Sequence, residues 1–131
     1  MSDTIKVLLL DAIKGTGYHV KEIRDELEVY HKLLDCDRID IVSRLVGGSY
    51  YSIVVDDDGL WRDGVTISAV SPEDTPVLVG NLVFTNSNKN TGELTSLTDV
   101  DIRRIKANSK ILVQQLGTKM KPIIAVQLDD A

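Results

Sequence analysis

Three consecutive aspartates, Asp56 to Asp58, are the most conspicuous polar feature of the sequence. Together with Asp40 they could supply the hard oxygen ligands that Mg²⁺ or Ca²⁺ prefers, and so support a metal-dependent phosphoesterase or nuclease. Alternate side chains of a strand point to opposite faces, however, and a run of aspartates before Gly59 also fits a solvated turn. The turn is the preferred interpretation. The metal site is the alternative, with the ligand set Asp40, Asp56, Asp57 and Asp58.

Aromatic and guanidinium side chains are concentrated between Arg44 and Arg62. Such a cluster can stack a base and pair with a phosphate, and it is equally typical of a protein interface. Two asparagines that bracket a predicted strand can both donate and accept hydrogen bonds. The predicted ligand-binding or partner-binding surface comprises Arg44, Tyr50, Trp61, Arg62, Asn81 and Asn86.

The other reactive residue types do not form a catalytic pattern. His19 and His31 lie far apart with no acidic residue at a repeating ligand spacing. Cys36 has an aspartate on each side, which disfavours a reactive thiolate, and we expect it to be a buried packing residue. Gly15 and Gly17 lack the third glycine and the following helix of a phosphate-binding loop. We therefore expect a binding protein with no catalytic residues and no cofactor, rather than an enzyme.

Length and composition restrict the class of protein. The chain has 131 residues, of which 43% are hydrophobic and 27% charged, and this favours a single globular domain over residues 1–131. The net charge of −5 makes non-specific nucleic-acid binding unfavourable, because such binding depends on Lys and Arg. One cysteine and the absence of a long apolar run predict a soluble cytoplasmic protein without a membrane segment.

Hydrophobic periodicity predicts an α+β domain in which an antiparallel-rich β-sheet is covered by two helices. The predicted strands are 5–10, 18–23, 38–45, 50–55, 77–85 and 122–128, and the predicted helices are 25–35 and 98–116. The second helix is predicted from a capping pair, Thr98 and Asp101, and from a stripe of apolar residues that extends to Leu116. Residues 59–76 are expected to be irregular, with at most one short strand.

Three segments carry a family resemblance: LLDCDRIDIVSRLVGGSYYSIVVDDDGL at 33–60, GNLVFTN at 80–86 and TSLTDVDI at 95–102. In order and spacing they resemble an uncharacterised family of small proteins encoded by bacteriophages and mobile elements of Gram-positive bacteria. The resemblance extends from about Ile5 to Ile105. It implies an accessory protein of the bacterial cytoplasm, and it brings no activity with it.

The leading hypothesis is a non-catalytic accessory protein that binds a host protein or sequesters a small anionic signalling nucleotide, and so counteracts host defence. A homo-oligomer is expected, because Tyr50, Trp61 and an apolar sheet face exceed what two helices can cover. The alternatives are the metal-dependent phosphoesterase or nuclease and a structural accessory of conjugation or replication.

Overall fold

The computed structural model describes residues 4–59 and 64–129, and most of this part of the chain is extended. The strands are β1 (Thr4–Asp11), β2 (Gly17–Arg24), β3 (Ile39–Val46), β4 (Ser49–Asp56), β5 (Ile67–Val70), β6 (Pro76–Val79), β7 (Leu82–Ser87), β8 (Leu94–Thr95), β9 (Ser109–Leu116) and β10 (Lys119–Gln127). The helices are α1 (Leu27–Leu34) and α2 (Asp99–Ala107). Neither of these helices has the length or the apolar composition needed to cross a membrane.

The strands form two sheets. The larger sheet has the order β2-β1-β7-β4-β3, with the short β8 added to β7, and its pairs are antiparallel. The smaller sheet has the order β6-β5-β10-β9, and β5 pairs with β10 in parallel while the other two pairs are antiparallel. The predicted α+β class with mainly antiparallel strands is confirmed, whereas the prediction of one sheet is wrong.

Different elements pack on the two faces of the larger sheet. On one face α1 packs Tyr30 and Leu34 against β4 and β7, and Cys36 is buried beside them, as predicted. On the other face the core includes Ile102 and Ile105 of α2 together with residues of the smaller sheet. The smaller sheet, more than α2, covers this face, which was expected to need an oligomer because two helices could not cover it. One argument for oligomerisation, an uncovered sheet face, therefore no longer applies.

The predicted strand 77–85 is divided between the two sheets. β6 ends at Val79, Gly80 takes a positive φ of 73°, and β7 begins at Leu82 in the other sheet. Glycine adopts positive φ at little cost, so the chain can change direction here. Apolar residues lie on both sides of Gly80 and Asn81 because β6 and β7 contribute to the same core.

The prediction of a helix over 98–116 is wrong in its second half. α2 ends at Ala107, and residues 109–116 form β9, which turns through Gly117 (φ 64°) into β10. All eight residues of β9 pair in register with β10, from Ser109 with Val126 to Leu116 with Lys119. This pairing outweighs the helical spacing of Leu112 and Leu116, because β-branched residues within β9 also fit a strand.

Candidate functional site

A cleft of about 550 Å³ lies between the edge strand β2 and α1. Antiparallel pairing places His19 opposite Leu9 and Lys21 opposite Val7, so these β2 side chains share the sheet face on which α1 packs. α1 is eight residues long and lies over β4 and β7, which leaves the β2 end of this face open. The cleft therefore arises because a short helix covers only part of the face.

Three lysines from three elements surround the cleft: Lys14 from the β1–β2 turn, Lys21 from β2 and Lys32 from α1. Two aspartates, Asp11 and Asp35, also line it, so three lysines against two aspartates leave one positive charge with histidine neutral. The backbone N–H of Lys14 donates to Asp11 Oδ1 at 3.0 Å. The cleft is thus locally cationic in a protein whose net charge is −5, and it can attract an anion.

Apolar and hydrogen-bonding groups complete the cleft. Its apolar lining comes from Leu9, Ile13 and Leu33. His19 Nε2 lies 2.7 Å from Thr16 Oγ1, so the imidazole is held in place by a neighbouring side chain. Cations around an apolar floor favour a ligand that combines an anionic group with a less polar part.

Asn81 connects the two walls of this cleft. The residue is 6% exposed; its Nδ2 donates to the backbone oxygen of Leu33 at 2.9 Å, and its Oδ1 accepts from the backbone N–H of Ile13 at 3.0 Å. One bond secures the end of α1 and the other secures the chain after β1. Asn81 was predicted to contact a ligand, and in the structure it lines the cleft while its side chain bonds to both walls.

Among the other predicted binding residues that the structure describes, Arg44 and Tyr50 do not share a surface. Arg44 pairs with Tyr51 and Tyr50 pairs with Leu45, so Arg44 and Tyr50 point to opposite faces of the β3–β4 hairpin. Tyr50 is 64% exposed. The positions of Trp61 and Arg62 lie outside the described residues.

Arg44 lines a second, smaller cleft of about 190 Å³, and three of its other lining residues are Asp40, Asp56 and Asp57. Three carboxylates against one guanidinium make this cleft unfavourable for an anion. The structure therefore brings Arg44 together with most of the alternative metal set rather than with the asparagines.

Three aspartates of that set, Asp40, Asp56 and Asp57, each bond to a different neighbouring group. Asp56 Oδ1 accepts from the N–H of Asp58 at 2.9 Å, which is the bond of an Asx turn. Asp57 Oδ2 lies 3.4 Å from Arg38 Nη2, and Asp40 Oδ1 accepts from the backbone N–H of Ile41. Within residues 4–59 and 64–129, no three His, Cys, Asp or Glu side chains are arranged to hold a metal ion. This geometry favours the turn and gives the metal site no support.

Asn86 belongs to a polar network that fixes α2 to the larger sheet. Its Nδ2 donates to Asp101 Oδ2 at 2.8 Å, while the Tyr51 hydroxyl donates to Asp101 Oδ1 at 2.8 Å. Arg104 Nη1 donates to the Tyr51 hydroxyl at 2.7 Å, and Thr98 and Asp101 form the predicted capping box. Burial alone would raise the pKa of Asp101, but hydrogen bonds from Thr98, Tyr51 and Asn86 lower it to about 2.

Because the folded pKa of Asp101 is lower than the ordinary value, the ionised carboxylate stabilises the fold above about pH 4, and this contribution disappears as pH falls towards about 2. The side chain is 14% exposed, and we expect a loss of about 2 kcal/mol over this range. Urea unfolding followed at several pH values measures it. Asp101→Asn should be less stable than the wild type at pH 6 and should lose less stability between pH 4 and pH 2. Parallel pH profiles for the two proteins would contradict this role.

The lysines of the β2–α1 cleft were not among the predicted site residues. A partial indication was present, because Tyr18 to Ile23 alternates and places His19 and Lys21 on one side of the strand. The sequence does not show that Lys32 lies opposite them, since this depends on where α1 packs.

Residues 5–110 match the model of a family described as a domain of unknown function, DUF3846. The chain belongs to this family. The match extends from β1 to the first residues of β9, and thus includes the larger sheet, both helices and the whole β2–α1 cleft. No curated protein and no solved structure matches the chain significantly. The predicted membership of an uncharacterised family is confirmed, and its phage or mobile-element origin stays a prediction.

Proposed function

We propose that this DUF3846 protein is a non-catalytic binding protein that holds a small anionic ligand in the β2–α1 cleft. The observation that supports the proposal is the placement of Lys14, Lys21 and Lys32 around one cleft with an apolar floor. An ammonium group that meets a phosphate or carboxylate forms a charge-assisted hydrogen bond, which is roughly twice as strong as a neutral one. Three such groups from three elements can contact one ligand from several sides.

A nucleotide is the ligand class that suits this cleft best. Small-molecule sites commonly measure roughly 300–1,000 Å³, and the cleft falls in that range at about 550 Å³. The apolar side chains of Leu9, Ile13 and Leu33 can cover a base or sugar, while the lysines face the phosphates. Lysine binds phosphate as a point charge and does not require a fixed fork geometry.

The biological setting that we propose follows from the sequence resemblance. A phage or mobile element would express the protein in the bacterial cytoplasm, where stoichiometric binding of a signalling nucleotide would lower its free concentration and blunt host defence. Binding of a host protein, and a structural part in conjugation or replication, are the competing roles. Neither of these requires a cationic cleft that accepts a small molecule.

Native mass spectrometry tests the proposal. The protein is incubated with a protein-free metabolite extract of bacterial cells, desalted and measured under non-denaturing conditions. We expect one anionic species at one copy per chain, with much lower occupancy in the double variant Lys21→Glu, Lys32→Glu. Retention of no small molecule, or equal retention by wild type and variant, would contradict a ligand site in this cleft.

A further inference from the structure

β9 forms one edge of the smaller sheet, and in the described ranges it pairs with β10 alone. The side chain of Gln114 ties this strand to the chain that leads into β5: its Oε1 accepts from the backbone N–H of Ile67 at 2.8 Å, and its Nε2 donates to the backbone oxygen of Val65 at 2.9 Å. Along the outer edge, every second residue of an eight-residue strand presents its backbone N–H and C=O away from β10.

The composition of β9 distinguishes it from the other sheet edges. Proteins protect edge strands with charged residues, proline or short length. β2 carries histidine, lysine, glutamate and arginine, β3 carries Asp40 and Arg44, and β6 is four residues long and begins with Pro76. β9 has one charged residue, Lys110, which forms an ion pair with Asp74.

The exposed side chains beside this edge are apolar. Ile111 is 72% exposed and Val113 is 64% exposed, and both point to the same face of the strand. Met120 of β10, also 64% exposed, pairs with Gln115 and so shares that face. An open backbone edge next to exposed Ile, Val and Met is a site for addition of another strand.

We propose that β9 pairs antiparallel with β9 of a second copy of this chain, about a two-fold axis at Leu112. A two-fold axis perpendicular to the sheet leaves the two faces of the sheet where they are. Such an axis passes between two directly opposite residues, so one residue of β9 must lie opposite its own equivalent. In this register Leu112 lies opposite Leu112 of the second copy. Ile111 of each copy lies opposite Val113 of the other, and Lys110 lies opposite Gln114. Apolar residues thus face apolar residues, and no two like charges lie opposite each other.

This charge pattern favours a second copy as the partner. The only charge on the strand falls opposite an uncharged amide, so self-pairing costs no electrostatic repulsion. The two small sheets would become one continuous sheet across the axis. Since the contact is limited to two strands and a few side chains, its area lies at the lower end for specific complexes, and we expect dissociation in the micromolar range.

Sedimentation velocity of the full chain between about 5 and 500 μM tests the interface. We expect a monomer–dimer equilibrium for the wild type. Val113→Lys puts a charged side chain opposite Ile111 of the second copy, so one apolar contact is lost in each copy and the dimer should weaken by more than about tenfold. Circular dichroism checks that the variant is folded, as expected for a side chain that is 64% exposed.

Ile41→Lys provides the matched control. Ile41 is an apolar residue on the edge strand β3, 49% exposed, and this substitution makes the same change of charge at a different edge. The control should dimerise like the wild type. A wild type that stays monomeric at 500 μM, a folded Val113→Lys variant that dimerises normally, or a dimer lost only in Ile41→Lys would each overturn the proposal. A strand from a different protein would then be the occupant of this edge to examine.

Discussion

Replacement of Lys21 and Lys32 together by glutamate should weaken the binding of a nucleoside triphosphate by more than about 100-fold. Each lysine is expected to make a charge-assisted contact, and two such contacts contribute roughly 3–4 kcal/mol in total, or two to three powers of ten in Kd. The two glutamates also add repulsion of the phosphates. Isothermal titration calorimetry at low ionic strength measures the change, because added salt screens exposed charges.

A matched variant separates this effect from net charge. Lys89 and Lys119 are exposed and lie outside the lining of the cleft, and replacing both by glutamate alters the charge of the protein by the same amount. We expect the affinity of this control to stay within about threefold of the wild type, since distant exposed charges are screened. Equal losses in the two double variants would show that overall charge, and not the cleft, governs binding.

Asn81→Ala should destabilise the protein by roughly 2–4 kcal/mol, because it leaves the backbone N–H of Ile13 and the backbone oxygen of Leu33 without their partner in a partly buried setting. Urea unfolding measures this loss. Asn90 is exposed in the loop after β7, and Asn90→Ala should change stability by less than about 0.5 kcal/mol. A loss below that value for Asn81→Ala would show that the bridge between the cleft walls contributes little.

The part of the fold that depends on local pattern was predictable from the sequence. The β1–β2 and β3–β4 hairpins have continuous or alternating apolar residues and turns at glycines, so their strands were predicted with small boundary errors. The strand at residues 109–116 was not predicted, because Leu112 and Leu116 continue the helical spacing of Ile102 and Ile105. Only the ladder with β10, a contact that the local pattern does not specify, decides between helix and strand there.

The candidate site was harder to predict for a related reason. Arg44 and Tyr50 are close in sequence, yet the two-residue period of the hairpin sends them to opposite faces. Lys21 and Lys32 line one cleft because α1 packs mainly over β4 and β7 and leaves space beside β2. Such a packing choice depends on side chains from distant segments. Asn81 was predicted as a binding residue, but its hydrogen bonds to Ile13 and Leu33 could not be predicted from the residue type.

Titration of ¹⁵N-labelled protein with inorganic pyrophosphate, followed by amide chemical shifts, tests the central claim most directly. The claim is that the cleft between β2 and α1 is the anion site. We predict saturable shifts for the amides around Thr16, His19, Lys21 and Leu33, and much weaker shifts for the double variant Lys21→Glu, Lys32→Glu. Shifts that gather around Arg44, or that are scattered over the surface without saturation, would contradict the claim.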